Sequence, residues 1–317
     1  MNSKLITYYF SHARIALKYG LGQLKFNPQD EILIPEFICD VVVASLNEIG
    51  LKYRYYHIDE SLIPDWQYLE NLINKNSRAI LMVHYFGQPQ DVKLFQSFCK
   101  NNELILIEDN AHGHGGYFNG ELLGTFGDIS ISSPRKTINI YSGGLLMLNQ
   151  KNDFSIPELP DYKPSFTEII KLRFLNSNPK LKHYLKKIFK TRPKFEDPHS
   201  FNEPQLSDLI IDKWSKRIIA EEDWEALRIR RVNKYKYWDS FVCENLLTPV
   251  FKDLISDANP WCFPAYANNQ KEAIKWFKWG WENNVNIFSW PSLPKEIIDL
   301  DGVSFDRWKK LICFGID

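Results

Sequence analysis

The chain has no surplus of either charge: Lys+Arg 39 are balanced by Asp+Glu 39, for a formal net charge of +0 over 317 residues. Without a global field to attract a polyanion, nucleic-acid binding is disfavoured and any anion site must be local. Cysteine is scarce and scattered. Cys39, Cys99, Cys243, Cys262 and Cys313 form no CxxC pair, which excludes a disulfide framework, suggests no structural zinc and fits a reducing compartment. No metal is expected. No apolar run approaches the roughly 18 residues of a membrane span. The opening MNSKLITYYFSHAR lacks a basic region followed by an apolar run and a small-residue cleavage site, so the expected location is the cytoplasm. With only 15 glycines, no low-complexity segment and no repeat of fixed period, fibrous and disordered classes are excluded too.

What is present is core material. The chain is 44% apolar and 15% aromatic, so most rings are expected to pack rather than to bind. Its length suits one large and one smaller domain. The first half alternates β-rich runs (Glu31–Pro35, Tyr53–Ile58, Ala79–Val83, Leu104–Ile107, Ile129–Ser132, Leu145–Leu148) with amphipathic stretches at Asp40–Ile49, Trp66–Asn74 and Asp91–Asn101. Such alternation predicts an α/β fold, a mostly parallel sheet with helical crossovers.

The pattern changes after Asn149. Residues 151–164 read as a Pro-rich loop, and Lys171 to Lys194 hold nine basic residues and no acidic one. Within that span, PKLKHYLKKIFK places Leu181, Tyr184, Leu185, Ile188 and Phe189 on one helical face. It reads as a docked surface helix or, alternatively, as a contact to a membrane surface or an anionic partner. One long helix is expected from Leu206 to about Trp238, then a small α+β region reading strand, helix, strand. The expected domains are 1–215, with 151–200 divergent, and 216–317.

The candidate chemistry lies at strand ends. LILI ends in Glu108-Asp109, followed by Asn110-Ala111-His112-Gly113-His114; ligands of open parallel sheets bind outside the carboxyl ends of strands. His112 and His114 with Glu108 or Asp109 can be drawn as a metal site, but the alternate spacing in a Gly-rich loop argues against zinc. After the next strand come Ser132-Ser133-Pro134-Arg135-Lys136 and later Gly143-Gly144. A lysine there can lose solvation and become a nucleophilic amine.

These stretches, with Phe10-Ser-His-Ala13-Arg14-Ile-Ala-Leu17, Ile34-Pro-Glu-Phe37-Ile-Cys39 and Val83-His-Tyr-Phe-Gly-Gln-Pro89, occur in an order that resembles the DegT-type pyridoxal-phosphate-dependent sugar aminotransferases. The resemblance covers roughly residues 10–148. It implies a fold type I, aspartate aminotransferase-like architecture with a smaller C-terminal domain, pyridoxal 5'-phosphate as cofactor, and transfer of an amino group from glutamate to a nucleotide-linked keto sugar for glycan biosynthesis. It further implies a homodimer.

By the same resemblance, Lys136 would join the cofactor aldehyde and serve as acid and base, and Asp109 would pair with the ring nitrogen. Ala111 would face the ring and His112 would stand near the ring oxygen. Ala13 and Arg14 would hold the phosphate at a helix N-terminus, helped by Ser132 or, as an alternative, Ser133. Cys39 stands where the family has its ring-stacking aromatic. A dehydratase of this fold carries His in place of the lysine, whereas Lys136 is present. A binding or scaffold protein of glycan assembly is the competing reading, since the aromatic and the Asn-x-Arg motif expected near His199–Gln205 are missing.

Overall fold

The computed structural model describes residues 5–149, 156–172, 207–290 and 292–316. The basic stretch containing Lys180–Lys190 lies outside the described residues, as does His199–Gln205.

The large domain is built on a seven-stranded sheet. Its strands are β1 (Leu5–Phe10), β2 (Glu31–Pro35), β3 (Lys52–Tyr56), β4 (Ser77–Val83), β5 (Ile105–Asn110), β8 (Ile129–Ser132) and β9 (Gly144–Asn149), in the order β1-β9-β8-β5-β4-β2-β3. A small antiparallel hairpin, β6 (Tyr117–Phe118) with β7 (Glu121–Leu122), intervenes. Pairings β2 with β3, β2 with β4, β4 with β5 and β5 with β8 are parallel, while β9 runs antiparallel to both β8 and β1. The predicted mostly parallel sheet is present. β1 was not anticipated: LITYYF follows no buried apolar run, and it becomes a strand because it finds β9 as partner.

Parallel strands covered on both faces read as continuous apolar runs. Accordingly Ile32, Leu33 and Ile34 of β2 and Ile80, Leu81 and Met82 of β4 are nearly inaccessible to solvent. The crossovers are α1 (Ala13–Gly22), α2 (Asp40–Glu48), α3 (Trp66–Leu72) and α4 (Val92–Asn101). Asp65 and Asp91 cap the last two, accepting from the N–H groups of Tyr68 and Leu94. A short helix, α5 (Phe166–Ile170), follows the loop.

The expected helix from Leu206 to Trp238 is corrected to two, α6 (Lys213–Glu221) and α7 (Trp224–Glu244), with residues 207–212 outside both. Glu222 is extended, and the Asp223 side chain accepts from Ala226 N–H to start the second helix. An unbroken periodic pattern hid the interruption because the cap residue is also an ordinary surface acid. The expected domain boundary at 215/216 falls inside α6, whose Ile219 packs with Ile140, Leu145 and Ile211. α7 instead brings Tyr235, Trp238 and Val242 to the second core.

That core lies under a four-stranded antiparallel sheet, β10 (Thr248–Pro249), β11 (Cys262–Tyr266), β12 (Ile287–Phe288) and β13 (Leu311–Gly315), in the order β10-β11-β13-β12. α8 (Gln270–Asn283), α9 (Lys295–Asp299) and α10 (Val303–Lys310) complete the small domain. Among the described residues no helix is long and apolar enough to cross a membrane.

Candidate active site

Side chains alternate faces along a strand, and β5 uses that alternation to separate two neighbouring acids. Glu108 is fully buried. It accepts from Nε2 of His84 at 3.0 Å, from the N–H groups of Gly124, Phe126 and Gly127, and from Ser130 Oγ. His84 Nδ1 accepts from Gln90 N–H, so its proton sits on Nε2. Burial alone would raise the Glu108 pKa, but the His84 bond and the backbone donors together hold it below the ordinary value. Glu108 anchors the loop that leads to β8.

Asp109, on the other face, is buried with few partners. One carboxylate oxygen accepts from Ala111 N–H at 2.9 Å. Burial raises its pKa, opposed by the Ala111 bond and by the charge of Lys136. Lys136 closes a short 3-10 turn, Pro134–Lys136, directly after β8. As a residue it is half-buried, yet its amine is enclosed enough that desolvation lowers its pKa, against the opposing influence of Cys39 and Asp109. The two side chains sense each other's charge but do not form an ion pair within 4 Å. A buried acid and a desolvated amine thus lie close enough for each to feel the other's charge.

His112 lies close enough to Lys136 to feel its charge. Its Nδ1 accepts from Phe86 N–H at 3.1 Å, and its ring stacks on Trp261 with centroids 4.6 Å apart. Burial and then Lys136 drive its pKa well down. The ring is neutral with its proton on Nε2, ready to donate. Trp261 comes from the small domain, and the Lys136 amine lies 4.8 Å from its ring centroid. Sequence reasoning missed Trp261; no local motif marks it.

Phe86 explains how these rings meet. It adopts a left-handed backbone, φ +55°, and spends its N–H on His112 and its carbonyl on Trp261 N–H at 2.7 Å. Gly87, at φ +87°, must lack a side chain because a Cβ there would lie 2.3 Å from the carbonyl oxygen of Asn259.

The N-terminus of α1 is fastened to β9. Gly143 N–H donates to Ser11 carbonyl, and a Cβ on Gly144 would collide with the His12 backbone at 2.1 Å. Ala13 and Arg14 occupy the first turn, where backbone N–H groups point outward and favour an anion. His12 at the cap is held neutral, its pKa lowered to about 3 by burial and then by Arg135 and Arg14.

The remaining sequence-predicted positions are placed as follows. Ser132 Oγ lies 2.7 Å from His114 Nδ1 and donates to the Asn110 carbonyl, so its hydroxyl is engaged within the protein. Ser133 is buried beside the turn. Ala111 is half-buried. Cys39 occupies the N-cap position of α2 without a side-chain capping bond, its Sγ 3.6 Å from Asp40 Oδ1 and 3.7 Å from Ser292 Oγ, and burial pushes its thiol up to about 11 despite nearby Lys136. The pairing of His112 with His114 as metal ligands is not assembled: among the described residues no three His, Cys, Asp or Glu side chains stand together as a candidate metal site.

Comparison with known proteins agrees with the resemblance read from the sequence. A model of the DegT/DnrJ/EryC1/StrS aminotransferase family matches residues 9–155. GDP-perosamine synthase of Vibrio cholerae is 32% identical over 142 residues, covering 44% of this chain and 39% of the synthase. The match thus spans about two fifths of the length of such relatives. The putative sugar aminotransferase Spr1654 from Streptococcus pneumoniae, solved in its PLP-form, superposes with a TM-score of 0.69 at 15% identity, covering 98% of this chain and 81% of that one. PseC of Helicobacter pylori, an aminotransferase involved in the biosynthesis of pseudoaminic acid, gives 0.64 at 16% identity, covering 98% and 81%. The whole described chain therefore shares the fold type I architecture of these aminotransferases, including its small domain.

Proposed function

We propose that this protein is a pyridoxal-phosphate-dependent aminotransferase that moves an amino group from glutamate to a nucleotide-linked keto sugar for glycan biosynthesis, as a cytoplasmic homodimer. The observation that carries this reading is a buried, sparsely bonded Asp109 carboxylate within electrostatic reach of a desolvated Lys136 amine. A pyridine ring carrying an aldehyde fits such a pair: an acid for the protonated nitrogen at one end, an amine for the aldehyde at the other. The match to a sugar aminotransferase family over 9–155 supports the substrate class.

The cofactor, when bound, supplies an electron sink for the charge left on a carbon that loses its proton. The protein's own residues supply the rest. Asp109, fixed by Ala111 N–H, keeps one oxygen to accept from the ring nitrogen. His112, its Nδ1 occupied by Phe86 N–H, offers Nε2–H to the ring oxygen. Ala111 lies beside Asp109 to face the ring. The first turn of α1, with Ala13 and the Arg14 side chain, takes the phosphate. Because desolvation lowers its pKa, Lys136 Nζ can exist as the free amine that accepts and returns a proton at the reacting carbon.

The decisive test is absorbance after incubation with pyridoxal phosphate, followed by turnover assays with glutamate and nucleotide-linked keto sugars. A near-visible band that disappears in Lys136→Ala, together with keto-sugar-dependent consumption of glutamate, is the expected result. A colourless protein that fails to take up cofactor would instead favour the scaffold reading, and light scattering tests the dimer.

A further inference from the structure

We propose that Trp261, contributed by the small domain, is the aromatic wall of this site, covering the cofactor ring in place of the side chain that Cys39 does not provide. The inference rests on the pyridoxal-phosphate reading above and adds a residue that sequence order could not place.

The argument begins with what Cys39 lacks. Its thiol is turned to Asp40 and Ser292 and has no π-face to offer. Anything joined to Lys136 must begin at Nζ, and Nζ lies 4.8 Å from the centroid of Trp261. Three other rings near this region, Phe37, Phe86 and Trp290, are already enclosed. Phe37 is wholly buried against Trp290 and Tyr85, and Phe86 and Trp290 are 1% and 2% exposed. Trp261, by contrast, is only half-buried.

Its position is also fixed before any ligand arrives. The Trp261 N–H donates to Phe86 carbonyl at 2.7 Å, and its own carbonyl accepts from Arg231 Nη2 at 2.8 Å. His112 stacks on the ring at 29° between planes, and Phe288 packs at 5.1 Å between centroids. A ring held at both backbone groups and braced by two neighbours loses little entropy on binding, which is the condition for stacking to add affinity. Aromatic pairs of this kind contribute about 0.5–1.5 kcal/mol, a change of roughly two- to tenfold in a dissociation constant.

The test titrates the cofactor-free protein with pyridoxal phosphate, following near-visible absorbance and circular dichroism. Trp261→Leu should bind roughly two- to tenfold more weakly, Trp261→Phe should bind like the wild type, and adding Cys39→Phe to Trp261→Leu should restore affinity. Equal affinity of Trp261→Leu, Trp261→Phe and wild type overturns the proposal while leaving the cofactor reading intact. Failure of the wild type to take up cofactor overturns both. Should Trp261→Leu not fold, energy transfer decides: on tryptophan excitation, Trp261→Phe should remove more cofactor emission than Trp290→Phe, and an equal or smaller loss overturns the assignment.

Discussion

The guanidinium of Arg231 reaches the carbonyl oxygen of Thr137, the residue directly after Lys136, at 3.3 Å. The same side chain, 2% exposed, donates through Nε to Pro260 carbonyl and through Nη2 to Trp261 carbonyl, both at 2.8 Å. One planar cation on α7 therefore ties the lysine turn of the large domain to the strand entry of the small one. The arrangement depends on a rigid fork of donors, which only arginine supplies.

Arg231→Lys keeps the charge but cannot span three carbonyls. Hydrogen bonds from a charged donor contribute about 1.5–3 kcal/mol, so a loss of at least about 2 kcal/mol is expected in urea unfolding. Cofactor affinity should fall with it, because both Thr137 and Trp261 lose a constraint. An unchanged midpoint would show that the clamp has no mechanical role.

Asp109→Asn separates activity from stability. Burial raises the Asp109 pKa, so the ionised carboxylate is disfavoured in the folded state and works against folding as pH rises above the ordinary carboxylate range. The cofactor-free variant should therefore be at least as stable as the wild type at neutral pH by thermal unfolding. Turnover should drop by about tenfold or more, since a charge-assisted bond is replaced by a neutral one.

Glu108→Gln should behave in the opposite way. The Glu108 pKa is held low in spite of burial, because His84 and the backbone donors outweigh desolvation. A depressed carboxylate adds stability above its ordinary pKa and loses it as pH falls through the folded value. The substitution should cost about 1.5–3 kcal/mol at neutral pH, the contribution of hydrogen bonds to a charged group, and flatten the acid limb of a stability–pH profile.

Lys136→Ala removes the covalent anchor of the proposed site. After treatment with pyridoxal phosphate and borohydride, mass mapping of the wild type should find the adduct on Lys136, and the variant should carry none at that turn. Labelling elsewhere at wild-type levels would dissociate Lys136 from its proposed role.

Gly87→Ala probes the loop that aligns His112 with Trp261. A Cβ at this left-handed position meets the Asn259 backbone, and strain of about 1–3 kcal/mol is expected. Calorimetry should show a fall in Tm of several degrees; no change would mean that the 259–260 backbone yields freely.

Much of this molecule was legible in one dimension. β2 and β8 span the residues the sequence pattern marks, Glu31–Pro35 and Ile129–Ser132, and Asp109 and Lys136 stand out because one lies near the end of a buried strand and the other just beyond one. Other features had no local trace. LITYYF becomes β1 only beside β9, and Asp223 breaks a helix whose flanking apolar spacing shows no break.

Taken alone, the order of residues decided which segments must be buried, that they form a mostly parallel sheet, and that an acid and an amine lie near the carboxyl ends of two of its strands. Those are consequences of local composition and period, which the chain carries wherever it folds. Only the tertiary structure decided that Glu108 is a buried support while Asp109 lies within reach of Lys136, that Ser132 is occupied by His114 and Asn110, and that Trp261 stands over Lys136. These depend on contacts between separate segments of the chain or on opposite faces of one strand, and no local pattern encodes which of them will meet.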